Sequence, residues 1–109
     1  MGYIPKKGDM VWLDFTPQSG HEQKGRRPAI VISNDFFNNK TGLAVVCPIT
    51  SSRRDYPLHV EISGCKKVTG YIMVEQVKSV DYLARGAELI ERAPETVINE
   101  TLSRFFACF

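Results

Sequence analysis

The stretch Gly20-His21-Glu22-Gln23-Lys24-Gly25-Arg26-Arg27-Pro28-Ala29-Ile30-Val31-Ile32-Ser33 changes character at Pro28, from polar and glycine-flanked to continuously apolar. A run such as Pro28 to Ser33 predicts a strand in the middle of a sheet with both faces covered. Upstream, Met10-Val11-Trp12-Leu13-Asp14-Phe15 predicts a partner strand with Val11, Leu13 and Phe15 on one face and Asp14 on the other, where Trp12 reads as a packing residue. Thr16-Pro17-Gln18-Ser19-Gly20 supplies turn chemistry, and the polar connection after it is longer than a simple hairpin needs. That length predicts a binding loop, and its glycines give it freedom to move.

Working outward, Asn34 to Gly42 reads as a connection with a short helical turn, whose Phe36 and Phe37 are expected to anchor it to the core or to a partner subunit. Leu43 to Ile49 predicts a third strand, and Pro48, which has no N–H to donate, predicts a bulge or an edge that turns Thr50 outward. Leu58, Val60 and Ile62 alternate with His59, Glu61 and Ser63, which predicts a half-exposed strand with His59 facing solvent. Gly70 to Val80 has the length of two bent strands or of one strand with a bulge, Ala84 to Ala87 reads as a turn, and Glu88 to Arg92 as a last strand. A helix is expected from Pro94, with Ile98, Leu102, Phe105 and Phe109 on one face and Val97 and Phe106 widening the stripe. The expected fold is therefore mainly β: a strongly curved sheet or half-open β-barrel with a C-terminal α-helix, in a single domain over residues 1–109.

A length of 109 residues with 43% hydrophobic content suits one ordinary core, and a net charge of +2 is too mild to identify a nucleic-acid binder. The cations nevertheless cluster at Arg26-Arg27, Arg53-Arg54 and Lys66-Lys67, and each pair taken alone reads as solvated surface charge. Cys47, Cys65 and Cys108 are odd in number and widely spaced, so they imply neither a disulfide framework nor a zinc site and are expected as buried thiols in a reducing compartment. Without a signal-like segment or an apolar run of membrane-spanning length, the expectation is a cytoplasmic protein with no membrane association.

If the polar loop, the Thr50 segment and the Glu75-Gln76 segment meet at one end of the sheet, His21, Glu22, Arg27, Thr50 and Glu75 share a cleft. RNA cleavage suits that set. Attack by a ribose 2′-OH on the adjacent phosphate needs a base for the hydroxyl proton, an acid for the leaving 5′-oxygen and donors for the charged transition state. Imidazole exchanges protons near neutral pH, a carboxylate does so only when its surroundings raise its pKa, and an arginine fork stabilises the charge. Thr50 lacks an activating base and is given a positioning role. No His-Glu-x-x-His, phosphate-binding glycine motif or Gly-x-Ser-x-Gly turn is present, so no metal or other cofactor is expected. Spacing alone leaves a simple binding barrel as well supported as a ribonuclease.

Several segments taken in order add to this reading. Gly8-Asp9 precedes Val11-Trp12-Leu13-Asp14-Phe15; Gly20-His21-Glu22-Gln23 precedes Gly25-Arg26-Arg27-Pro28-Ala29; Asn38-Asn39-Lys40-Thr41-Gly42 precedes Pro48-Ile49-Thr50. Gln76-Val77-Lys78-Ser79, Ala84-Arg85-Gly86-Ala87 and Pro94-Glu95-Thr96 follow. With these segments the chain resembles, over nearly its whole length, the MazF/PemK/Kid toxins of bacterial type II toxin–antitoxin systems. The resemblance implies an SH3-like barrel of the MazF/PemK/CcdB type, a homodimer, and metal-independent, sequence-specific cleavage of single-stranded RNA to a 2′,3′-cyclic phosphate and a 5′-OH. It also implies inhibition of translation and growth, and neutralisation by a cognate antitoxin whose flexible tail fills the RNA groove.

By the same resemblance, Arg27 and Thr50 match the main catalytic pair, and His21 and Glu22 match positions that contact the scissile phosphate. The loop side chains Gln18, Gln23 and Lys24 are candidates for base recognition, as are Glu75 and Gln76 for RNA binding, and Arg26, Arg53, Arg54, Lys78 and Arg85 for backbone contacts. The Kid branch carries an arginine and an aspartate where this chain has Met73 and Glu75, which favours the Arg27–Thr50 pair. The alternative is a non-enzymatic toxin or binding module on the same barrel, such as a gyrase poison of the CcdB type; the set His21, Arg27 and Thr50 favours the enzyme.

Overall fold

The computed structural model describes residues 2–15, 25–52 and 57–109. Its elements in order are β1 (Asp9–Asp14), β2 (Arg26–Val31), α1 (Asp35–Thr41), β3 (Leu43–Thr50), β4 (His59–Glu61), β5 (Tyr71–Met73), a 3-10 turn (Val74–Gln76), β6 (Lys78–Asp81), β7 (Glu88–Arg92) and α2 (Glu95–Phe106). The strands form one seven-stranded sheet in the order β4-β5-β3-β2-β1-β7, with β6 also on β3, and every pairing is antiparallel.

As expected, β2 lies between two partners and alternates between two cores. Ile30 and Ile32 point to one, with Met10, Cys47, Ile49, Val60, Ile72 and, from α2, Val97 and Ile98. Ala29 and Val31 point to the other, with Val11, Leu13, Ala44, Val46, Val80 and Tyr82. Fully burying one such aliphatic side chain is worth about 1.5–3 kcal/mol, so a strand that fills both cores is a poor site for change.

The expected barrel closure is not found: among the described residues no ladder joins β4 to β7, and the sheet is open. The reason lies in β3, whose flank away from β2 takes two partners in turn, β6 along Leu43–Val46 and β5 along Ile49–Thr50. The sheet forks there instead of curling shut. Pro48 sits in the fork. The N–H of Ile32 donates to Val45 O, so the odd positions of β3 face β2 and the even ones face the fork. The missing donor of Pro48 therefore falls between β6 and β5, and the strand passes through without the expected edge.

Other expectations change for equally local reasons. Of the two readings of Gly70 to Val80, the two-strand one holds, with a 3-10 turn between β5 and β6 in place of a bulge. Asn34 caps α1 by accepting from Phe37 N at 2.8 Å, and Asn38 is the residue turned inward, donating to Pro5 O and Ser33 O. Phe36 is 71% exposed as a result, and Phe37 is exposed too, so neither anchors the helix to the core. Trp12 is also exposed and is not a core residue. On α2, Val97, Ile98 and Thr101 are buried and Leu102 and Phe105 lean on the core, whereas Phe106 and Phe109 lie outside it, edge-on to Phe105. Cys47 alone of the thiols is buried; Cys65 is half-buried and Cys108 exposed.

Candidate functional site

Arg27 stands opposite Leu13 across β1 and β2. The β2–β3 register pairs Val31 with Val46, Ile30 with Cys47 and Ala29 with Pro48. Continued by two residues, it sets Arg27 opposite Thr50. Thr50 is opposite Tyr71, and Tyr71 opposite Glu61. One row, Leu13, Arg27, Thr50, Tyr71 and Glu61, thus crosses five strands. Opposed residues of antiparallel strands project to the same face, so the register directs the two residues singled out as a pair to one face, two positions beyond the last paired residues of that ladder.

Local chemistry prepares Thr50. Its Oγ1 accepts from Ser52 N at 3.1 Å, which engages a lone pair and leaves the O–H to donate. Close approach of β5 depends on Gly70, because a Cβ there would stand 2.3 Å from Thr50 O, and the glycine sits at φ +124°. Lys78 opens β6 opposite Val46, and its ammonium lies 5.1 Å from the Phe15 ring centroid. A cation and an aromatic ring from β6 and the end of β1 thereby meet beside the row.

Arg26 alternates to the other face. It pairs with Asp14 and Glu88, each at 3.1 Å, and donates to Gly86 O. Arg85 donates to Asp14 O at 3.2 Å. Both arginines tie the 84–87 turn to the end of β1, so the structure does not bring Arg26 to Arg27's side. Gln76 is exposed at the end of the 3-10 turn. The expectations for Gln18, His21, Glu22, Gln23, Lys24, Arg53 and Arg54 lie outside the described residues.

The residue that the sequence misplaced is His59. It is buried, not solvent-facing, and its Nε2 lies 3.0 Å from Glu75 Oε2. Alternation in β4 identified the apolar face correctly but carried no sign that the 3-10 turn would cover the other one. Arg104 of α2 reaches the same strand, donating to the carbonyls of Pro57 and His59. The Glu75 side chain keeps 27% of its surface exposed, so this carboxylate is held but reachable. Burial, with the Glu75 charge as a second cause, pushes the Cys47 thiol up to about 12, which removes it as a nucleophile. Among the described residues no three His, Cys, Asp or Glu side chains converge as a metal-ligand set, and no helix is long and apolar enough to cross a membrane.

A small antiparallel β protein, helix-backed on one face and carrying an arginine–threonine pair on the other, is the class that this geometry defines. Residues 6–109 match the family described as PemK-like, MazF-like toxin of type II toxin-antitoxin system, and the chain belongs to that family. It is 45% identical over 85 residues to the endoribonuclease toxin MazF of Escherichia coli K12, covering 78% of this chain and 76% of that one. It is 37% identical over 110 residues to the endoribonuclease PemK of Escherichia coli, covering 93% and 83%. A crystal structure of MazE-MazF from Deinococcus radiodurans superposes with a TM-score of 0.90 at 40% identity, over 98% of this chain and 96% of that one.

Proposed function

We propose that this chain is an endoribonuclease toxin that cuts single-stranded RNA without a metal ion. The observation that carries the reading is the β2–β3 register, which, extended by two residues, directs Arg27 and Thr50 to one sheet face, in a chain whose relatives are named endoribonucleases. The 2′-oxygen attacks the adjacent phosphorus as its proton passes to a base; the P–O5′ bond breaks and the 5′-oxygen takes up a proton. The products are a 2′,3′-cyclic phosphate and a 5′-OH. Arg27 offers a fork of N–H donors to the charged non-bridging oxygens, and the Thr50 hydroxyl donates to one of them.

His21 and Glu22 are assigned to proton transfer and phosphate contact, and Gln23, Lys24, Arg53, Arg54, Gln76 and Lys78 to the RNA strand. Glu75, held by His59, is assigned to the edge of the RNA path. The open sheet is read as an SH3-like barrel variant working as a cytoplasmic homodimer, and the likeness to MazF solved with MazE supports neutralisation by an antitoxin.

The test is cleavage of a long defined RNA with a chelator present, followed by mapping of the ends. Clustered cuts at a short motif with cyclic-phosphate termini are expected. Removing a preorganised donor to a developing anion typically lowers kcat about 10²–10³-fold, so Arg27→Ala should lose that much while staying folded. Undiminished cutting by Arg27→Ala would remove Arg27 from the mechanism.

A further inference from the structure

The row that joins Arg27 to Thr50 does not stop there: Tyr71 stands next to Thr50 on the side away from Arg27, and Glu61 stands beyond Tyr71. Charge along the row therefore runs from cation through hydroxyl and aromatic ring to anion. A phosphodiester is drawn to the Arg27 end and repelled from the Glu61 end. Among the described residues, Tyr71 is the aromatic side chain in the row itself, one strand beyond Thr50 and within reach of a nucleotide whose phosphate lies at Arg27 and Thr50.

Tyr71 is built for that contact. It is half-buried, so the residue is neither sealed in the core nor freely exposed. Its strand is fixed from both sides, by Ile49 and Thr50 of β3 and by the three residues of β4. Gly70, where any side chain would strike Thr50 O, holds the ring's backbone close to the candidate site. A tyrosine so placed loses little freedom on binding, and unstacked bases of single-stranded RNA are commonly captured on aromatic rings.

We propose that the Tyr71 ring is the stacking platform for the base next to the scissile phosphate, and so a specificity-determining residue. This rests on the ribonuclease reading above. Aromatic stacking of one base is worth roughly 5- to 150-fold in affinity by truncation.

The test uses an oligoribonucleotide centred on a mapped cut, made uncleavable by a 2′-deoxy sugar at the scissile nucleotide and carrying 2-aminopurine as the neighbouring base. Wild-type protein and Tyr71→Phe should quench the probe on binding, whereas Tyr71→Leu should not and should bind about ten-fold more weakly. With all-ribose substrate, Tyr71→Leu should raise KM more than it lowers kcat and should relax the base preference at that position. An abasic residue there should weaken the wild type but leave Tyr71→Leu unchanged. Equal quenching by Tyr71→Leu, or losses from the variant and the abasic site that multiply, overturns the proposal. If the wild type cleaves and Tyr71→Leu behaves identically, Tyr71 alone falls; if the wild type cuts no RNA, both readings fall.

Discussion

His59 Nε2 lies 3.0 Å from Glu75 Oε2, linking β4 to the 3-10 turn that separates β5 from β6. The imidazole side chain is only 3% exposed. A contact between groups so unequally buried is structural on the histidine side and accessible on the glutamate side. Contacting polar pairs show interaction energies of about 0.5–3 kcal/mol in double-mutant cycles. We expect His59→Ala, Glu75→Gln and the double variant, compared by urea denaturation, to be non-additive within that range. Strict additivity would show that the contact contributes nothing to stability.

Thr50 separates two functions of one hydroxyl. Thr50→Val keeps the shape of the side chain but loses both the acceptor for Ser52 N and the O–H proposed above to donate to the phosphate. Thr50→Ser keeps both. If the hydroxyl stabilises the developing anion, kcat on a defined oligoribonucleotide should fall about 10²-fold in Thr50→Val and stay within a few-fold of wild type in Thr50→Ser. A loss in Thr50→Ser with none in Thr50→Val would assign the methyl group, and not the hydroxyl, the important role.

The sequence made some of this arrangement legible, and physical reasons separate what it did from what it did not. β2 announced itself because a continuous apolar run has few alternatives to a doubly covered strand. Thr50 was expected at a strand end, and Gly8 to Phe15 behaved as a turn and strand. The row from Arg27 to Tyr71, by contrast, depends on the register of two pairings, and register between strands distant in sequence leaves no local trace. The same holds for His59, whose burial depends on a turn sixteen residues away. Phe106 and Phe109 fall outside the core because an aromatic residue at a helical spacing signals core only when a neighbouring element arrives to cover it.

Arg26 and Arg27 are adjacent in sequence and opposite in direction, which makes them a sensitive internal control. Arg26 is engaged with Asp14, Gly86 O and Glu88, with 35% of its side chain exposed. Exposed ion pairs of this kind contribute about 0–1 kcal/mol. Arg26→Ala should therefore lower stability modestly and leave kcat/KM within a few-fold of wild type, whereas Arg27→Ala should lower kcat about 10²–10³-fold while staying folded. Parallel losses of cleavage in the two variants would argue for a general cationic surface in place of a directed guanidinium.

Three thiols in different surroundings give a test of the packing that supports the site. Burial and the nearby Glu75 charge hold the Cys47 thiol up near 12, so almost none of it is thiolate at pH 8. Cys65 is raised as well, by burial first and Glu91 second, while Cys108 is exposed near the end of α2. Brief treatment of the native protein with N-ethylmaleimide at pH 8, read by peptide mass spectrometry, should label Cys108 first, Cys65 more slowly and Cys47 only after denaturation. Because Cys47 packs with Ile30, Ile49 and Ile72 beneath the Thr50 end of β3, early labelling there would mean that this end opens in the native state, and a site that needs Arg27 and Thr50 in fixed register could not then be preorganised.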